Sequence, residues 1–158
     1  MFREMKRKKQ ALSAEECQKI LTEEKRGVLS VIGDDGYPYG TPMNHFFSPE
    51  DGVIYFHGAK DGHKIDALKK CGKASFCVMD KGTKKEGDWA LTFRSVIVFG
   101  RICFIEDEET VRRISRLLSL KFTSDENYIE SEIRQHLKRT LVLALVPEKI
   151  SGKSVHEA

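Results

Sequence analysis

The sequence predicts a mainly β domain, an antiparallel barrel, closed or split, with helices at its periphery. Three observations predict it. Runs rich in β formers recur at residues 28–32, 53–57, 74–79, 89–105 and 141–146. Tight-turn chemistry joins the early ones, and Gly33-Asp34-Asp35-Gly36 is the clearest case, because Asp-Gly supplies the positive φ angles of a hairpin. The helical patterns do not alternate with the strands, so the regular β-α-β order of a doubly wound sheet is excluded.

Each element has its own reason. Residues 1–9, MFREMKRKK, are a basic lead-in that reads as a solvated tail. Ser13-Ala14-Glu15-Glu16 is a capping box, with the Ser13 hydroxyl open to the first free N–H groups and Glu16 able to reach back. Cys17, Ile20 and Leu21 follow at i, i+3 and i+4, which predicts a helix over 13–25, ended by Gly27. Residues 28–32 are the first strand. The return segment 37–47, YPYGTPMNHFF, carries Pro38 and Pro42, so it reads as an edge strand or one bulged beside a ligand. After a turn at 48–52, residues 53–57 form a strand. A polar loop, 58–63, runs into a short amphipathic helix over 64–70 with Ile65 and Leu68 on one face.

Residues 74–79 are the next strand, and 80–88 form a charged, Gly-containing loop. The longest β-like stretch is 89–105, where Gly100 marks a bulge or bend. Acidic residues 107–109 favour the dipole of a following helix, whose apolar face is Val111, Ile114, Leu117 and Leu118. A more polar helical region spans 123–139. Residues 141–146 are a buried strand closed by Pro147, and 151–158 read as a mobile tail, as do 1–10.

The 158 residues are 32% charged and 40% hydrophobic, which places the whole of 1–158 in one globular domain able to bury its own core. Lys plus Arg number 27 against 24 Asp plus Glu, a balance that demands neither nucleic acid nor membrane as partner. No apolar run approaches the roughly 18 residues of a membrane span, and no apolar segment follows the basic lead-in as a secretory signal would require. The basic residues of 1–9 are not interleaved with aromatic platforms, which argues against a nucleic-acid module. Cys17, Cys71, Cys77 and Cys103 form no C-x-x-C pair, and no His stands at metal-ligand spacing from them. No metal is expected. Cys17, Cys77 and Cys103 lie in apolar patterns and read as small buried side chains in a reducing, cytoplasmic compartment.

Three segments carry candidate chemistry. A strand ends at His57, a loop with Gly58 and Gly62 follows, and His63-Lys64 open a helix. A helix N-terminus offers free N–H groups and partial positive charge, so this junction is either an anion site with Lys64 and His63 as donors or an ordinary solvated connection. It is not a Walker loop, because Gly62 is followed by His63 and Lys64 by Ile65. In Thr41-Pro42-Met43-Asn44-His45 the proline frees backbone groups that can read the polar edge of a planar ring; protection of an edge strand is the other reading. Arg94 and Ser95 sit among apolar strand residues, and Arg94 either reaches solvent or meets an anion. No G-x-S-x-G motif occurs.

Together these segments resemble the pyridoxamine-phosphate-oxidase-like superfamily of FMN-binding split barrels, most of all the branch related to nitroimidazole-resistance reductases. The likeness is carried by DDGYPYGTPMNHFF, IYFHGAKDGHKIDAL and FRSVIVFGR, and extends over about residues 3–153. It implies a flavin ring lying along Thr41, Met43 and Asn44 with His45 beside them, and an FMN phosphate held by His63 and Lys64. It implies Arg94 and Ser95 near the cofactor, and His57 at the strand end flanking it. His57 is then either a proton donor to substrate, its ordinary pKa lying near neutrality, or a histidine satisfied by the loop. The run Ile150-Ser151-Gly152-Lys153 resembles the family's closing motif. The resemblance further implies a homodimer with the flavin at its interface, NADH or NADPH as electron donor, and a small planar acceptor such as a nitroaromatic. A non-catalytic flavin- or haem-binding protein of the same fold is the alternative. The C-terminal Arg and His that grip pyridoxal in the true oxidases have no match here.

Overall fold

The computed structural model describes residues 1–157. Eight strands make one sheet: β1 (Arg26–Ile32), β2 (Pro38–Asn44), β3 (Phe46–Phe47), β4 (Ile54–Ala59), β5 (Lys73–Met79), β6 (Thr83–Lys84), β7 (Leu91–Ile105) and β8 (Thr140–His156). The order is β2-β1-β5-β7-β8-β4-β3, with β6 on β7, and every pairing is antiparallel. The sheet curls without closing. β2 pairs only with β1, and β4 pairs with β3 only at Ile54 and Tyr55, so the rest of both edges stays open at the split.

Four α-helices decorate the sheet: α1 (Ala14–Glu23), α2 (His63–Lys70), α3 (Glu108–Ser119) and α4 (Glu126–His136). The predicted capping box starts α1, with Glu16 N–H donating to Ser13 Oγ at 3.2 Å and Ser13 N–H to the Glu16 carboxylate at 2.8 Å. Cys17, Ile20 and Leu21 of α1 close one end of a core that includes Leu29, Phe56, Phe76, Val96, Val98 and Leu143. A second core lies on the other face of β4 and β8, where Tyr55, Val142 and Ala144 meet Val111 and Ile114 of α3. No helix among the described residues is long and apolar enough to cross a membrane.

The structure corrects five expectations. Gly27 does not end α1, which stops at Glu23; it lies in β1, where a Cβ would fall 2.6 Å from the Cys77 carbonyl oxygen. Pro147 does not close the last strand. A register shift at Phe99/Gly100 leaves Glu148 unpaired, and beside such a bulge the missing proline N–H is tolerated. Hence residues 151–156 are not a tail but the second half of β8, paired with β7 out to Thr92–His156; Ala158 lies outside the described residues. The lead-in also packs, with the Phe2 ring stacked on Phe99 at 5.4 Å. Finally, only Cys17 is buried. Cys77 and Cys103 are exposed on the outside of the sheet, because apolar residues occupy both faces there and alternation cannot be read.

Candidate functional site

Strand alternation sorts β2 into two sets. Tyr39, Thr41 and Met43 share one face; Met43 joins the barrel core and Tyr39 packs against it. Pro38, Gly40, Pro42 and Asn44 take the other, where Arg26 Nε donates to Asn44 Oδ1 at 2.7 Å. The N-terminus of α2 arrives over the inner set. The His63 ring packs on Tyr39 at 4.1 Å between centroids, and Lys64 Nζ lies 3.1 Å from Met43 Sδ. Gly62 precedes the helix at φ 112°, a conformation glycine alone adopts freely, and no side chain caps the helix.

This cradle is short of negative charge and hydrogen-bond partners. The half-buried Lys64 ammonium has a thioether as its neighbour and no carboxylate partner among the described residues. Burial lowers its pKa. Thr41 Oγ1 is buried without any partner. Asp34 lies 3.6 Å from His63 Nε2 and also takes Lys70 Nζ at 3.2 Å, and Asp66 stands in the first turn of α2. An anion with a polar ring attached fits these groups: its charge to Lys64 and the free N–H groups of α2, its ring edge to Thr41. Tyr39 was missed by the sequence reading, although its i, i+2, i+4 spacing with Thr41 and Met43 was there to find.

A second concentration of candidates lies on the outside of the sheet. Ser95 pairs with Lys153, Ile97 with Ser151 and Phe99 with Lys149, so the closing run faces Ser95 across the β7–β8 ladder. Ser95, Ile97, Lys149, Ser151 and Lys153, with Leu12 and with Arg3 and Met5 from the lead-in, line a cavity of about 450 Å³. Arg3, Lys149 and Lys153 give it three cations, and no carboxylate lines it. Arg3 and Lys149 were not legible as site residues, since only folding brings them beside Ser95. The floor continues into an apolar row, with Pro42, Val28, Cys77, Ile97 and Ser151 side by side across five strands. Val28, Ile97 and Phe99 are about 40% exposed on this face, high for such residues in strands.

Other candidates are not brought to either place. His45 is fully buried: its Nε2–H donates to the Leu21 carbonyl at 2.7 Å, and Nδ1 has no partner. Burial, aided by the Lys121 charge, pushes its pKa down to about 4. Arg94 faces the opposite way from Ser95 and is bound by Asp80, Nε to Oδ2 at 2.8 Å. Burial raises the Asp80 carboxyl, but its bonds from the Arg94 and Gly82 backbone and the Arg94 side chain outweigh that and hold it low. His57 points away from the barrel interior, on the face that β4 turns to α3.

The sequence profile of the pyridoxamine 5'-phosphate oxidase family matches residues 13–154. No curated protein matches the chain by sequence. Among solved structures, a candidate 5-nitroimidazole antibiotic resistance protein from Bacteroides thetaiotaomicron superposes with a TM-score of 0.76 at 18% identity, over 92% of this chain and 87% of that one. A conserved hypothetical protein from Mycobacterium tuberculosis gives 0.79 at 21% identity, over 95% and 90%. An FAD-binding protein from Mesorhizobium loti gives 0.65 at 23% identity, over 92% and 96%. At these identities the structural likeness speaks for the split-barrel fold.

Proposed function

The chain belongs to the pyridoxamine 5'-phosphate oxidase family, and on that premise we propose that it is an FMN-dependent oxidoreductase acting as a homodimer. The observation that carries the reading is Lys64, a half-buried cation beside an uncapped helix N-terminus, with no acid to neutralise it. Lys64 and the free N–H groups of α2 hold the phosphate by charge-assisted hydrogen bonds, and His63, steadied by Tyr39, adds a donor. Thr41 Oγ1 meets the polar edge of the ring, while Met43 packs against its body. A flavin held there would supply the redox chemistry between NADH or NADPH as donor and a small planar acceptor such as a nitroaromatic.

Two half-sites on opposite faces of the sheet support the homodimer. The α2 cradle sits on the inner face of β2, whereas Ser95, Ser151 and Lys153 sit on the outer face of the sheet. One ligand reaches both only if the outer face of one protomer covers the cradle of its partner. The apolar row around Val28 and Ile97 provides the dry surface for that contact. Arg3, Lys149 and Lys153 then raise the positive potential around an anionic cofactor.

Titration of the flavin-free protein with FMN, followed by flavin fluorescence, tests the reading. Lys64→Ala removes a charge-assisted contact of about 1.5–3 kcal/mol and weakens binding at least tenfold. Unchanged affinity in Lys64→Ala overturns the phosphate assignment. Flavin binding without turnover of NADH or NADPH across several acceptors leaves a non-catalytic flavin carrier instead.

A further inference from the structure

A separate cavity of about 220 Å³ lies between β4, the start of β8 and the α3–α4 pair. Its floor is set by register. His57 pairs with Val142 and Tyr55 with Ala144, so His57 shares the face these residues turn to α3, on the opposite side of β4 from Phe56 and the barrel interior. The His57 ring is largely buried and has no hydrogen-bond partner among the described residues, and burial lowers its pKa. A neutral imidazole of this kind offers one donor and one acceptor.

The walls complete a mixed surface. Ser115, 5% exposed, and Ser119 one turn later bring hydroxyls from α3. Ile129 and Ile133, both buried, present an apolar wall from α4. The hydroxyl of Thr140 donates to the His136 carbonyl at 2.8 Å, leaving its lone pairs free to accept. At the rim, Arg139 donates to His136 Nδ1 at 2.8 Å and His136 Nε2 lies 3.6 Å from the Glu132 carboxylate. No Lys or Arg lines the cavity, and Glu132 is its one carboxylate, already engaged by His136.

We propose that this cavity is a binding site for an uncharged, ring-sized ligand, whose polar edge exchanges hydrogen bonds with His57 and Ser115 and whose apolar face lies on Ile129 and Ile133. The volume equals about seven waters at roughly 30 Å³ each, enough for a single substituted ring. Glu132, the one carboxylate of the lining, opposes an anion, and His136 and Arg139 beside it offset its pull on a cation. The inference does not rest on the flavin reading, because the cavity is on the other side of β4 from the cradle.

The test uses the full chain with isoleucine methyl groups labelled for NMR. Benzamide, benzoate and benzylammonium, matched in size and differing in charge, are titrated in turn. Benzamide moves the Ile129 and Ile133 methyl signals, leaves Ile65 in the barrel unmoved, and binds several-fold tighter than either charged analogue. His57→Ala weakens it roughly fivefold, the measure of one hydrogen bond, and Ser119→Met abolishes it by filling the cavity from a half-buried position. Absence of shifts up to the solubility limit overturns the proposal. So does equal binding of all three probes, or an affinity that both variants leave unchanged.

Discussion

His45 shows how a single residue can look functional in sequence and be structural in the fold. It follows a ligand-like segment, Thr41 to Asn44, yet it ties the β2–β3 corner to α1 through the Leu21 carbonyl. Lys121 reinforces the corner, its Nζ donating to the Glu24 carbonyl at 2.7 Å and the His45 carbonyl at 2.8 Å. The histidine is therefore a sensor of acid in the stability of the protein. Its folded pKa of about 4 lies below the ordinary 6.5, so between those values the unfolded chain binds a proton that the folded chain refuses. The neutral-pH stability is present in full above pH 6.5 and declines as pH falls toward 4, by up to about 3 kcal/mol. Urea unfolding at a series of pH values measures this, and His45→Gln, which keeps a donor toward Leu21, flattens that part of the profile. An unaltered slope in the variant assigns the acid sensitivity to other groups. Arg94 teaches the same lesson from the other side: a lone Arg in an apolar strand suggested an anion, and the anion is Asp80 of this chain.

At the scale of elements, most of the architecture was legible because local chemistry and fold agree. The capping box, the Asp-Gly hairpin with Asp35 at φ 55° and Gly36 at φ 76°, the edge position of β2 and the bulge at Gly100 were each written in a few adjacent residues. What was not legible depended on the partner strand. Pro147 reads as a stop until Gly100 is seen opposite it, and the parity of Cys77 is hidden by apolar neighbours on both sides. The candidate site divides along the same line. The His63–Lys64 helix start was visible locally, whereas the meeting of Ser95 with Ile150 to Lys153 needed the β7–β8 register, and that of Arg3 the packing of the lead-in. Gly100 carries a prediction of its own. A Cβ there would fall 2.2 Å from the Val146 carbonyl oxygen, a backbone atom that cannot move aside. Gly100→Ala thus forces the two longest strands apart and costs about 1–3 kcal/mol of stability, read as a lower midpoint in urea. An unchanged midpoint means the bulge absorbs the methyl group.

For the whole molecule, the division of the candidate site between two faces of one sheet makes assembly and ligand binding a single question. Ile97→Glu places a charge in the middle of the outer apolar row. On the proposed reading it shifts the protein from dimer to monomer in analytical ultracentrifugation and lowers FMN affinity in parallel. A monomeric variant that keeps full affinity argues that one chain holds the cofactor alone. Mixing supplies the complementary case. Lys64→Ala and Lys153→Ala each impair every site of their own dimers. A mixed dimer contains one site with both lysines intact, so equilibrated mixtures recover binding to about half the mixed dimers' sites. Family membership does not supply the acceptor, because a fold common to flavin proteins leaves substrate choice to the walls of the site.

The most direct measurement of the central claim is the visible absorption spectrum of the purified protein, followed by identification of the chromophore released on denaturation. The account predicts a flavin spectrum and released FMN, with protein emptied of it regaining the spectrum on addition of FMN. A colourless protein that also fails to bind added FMN would contradict it.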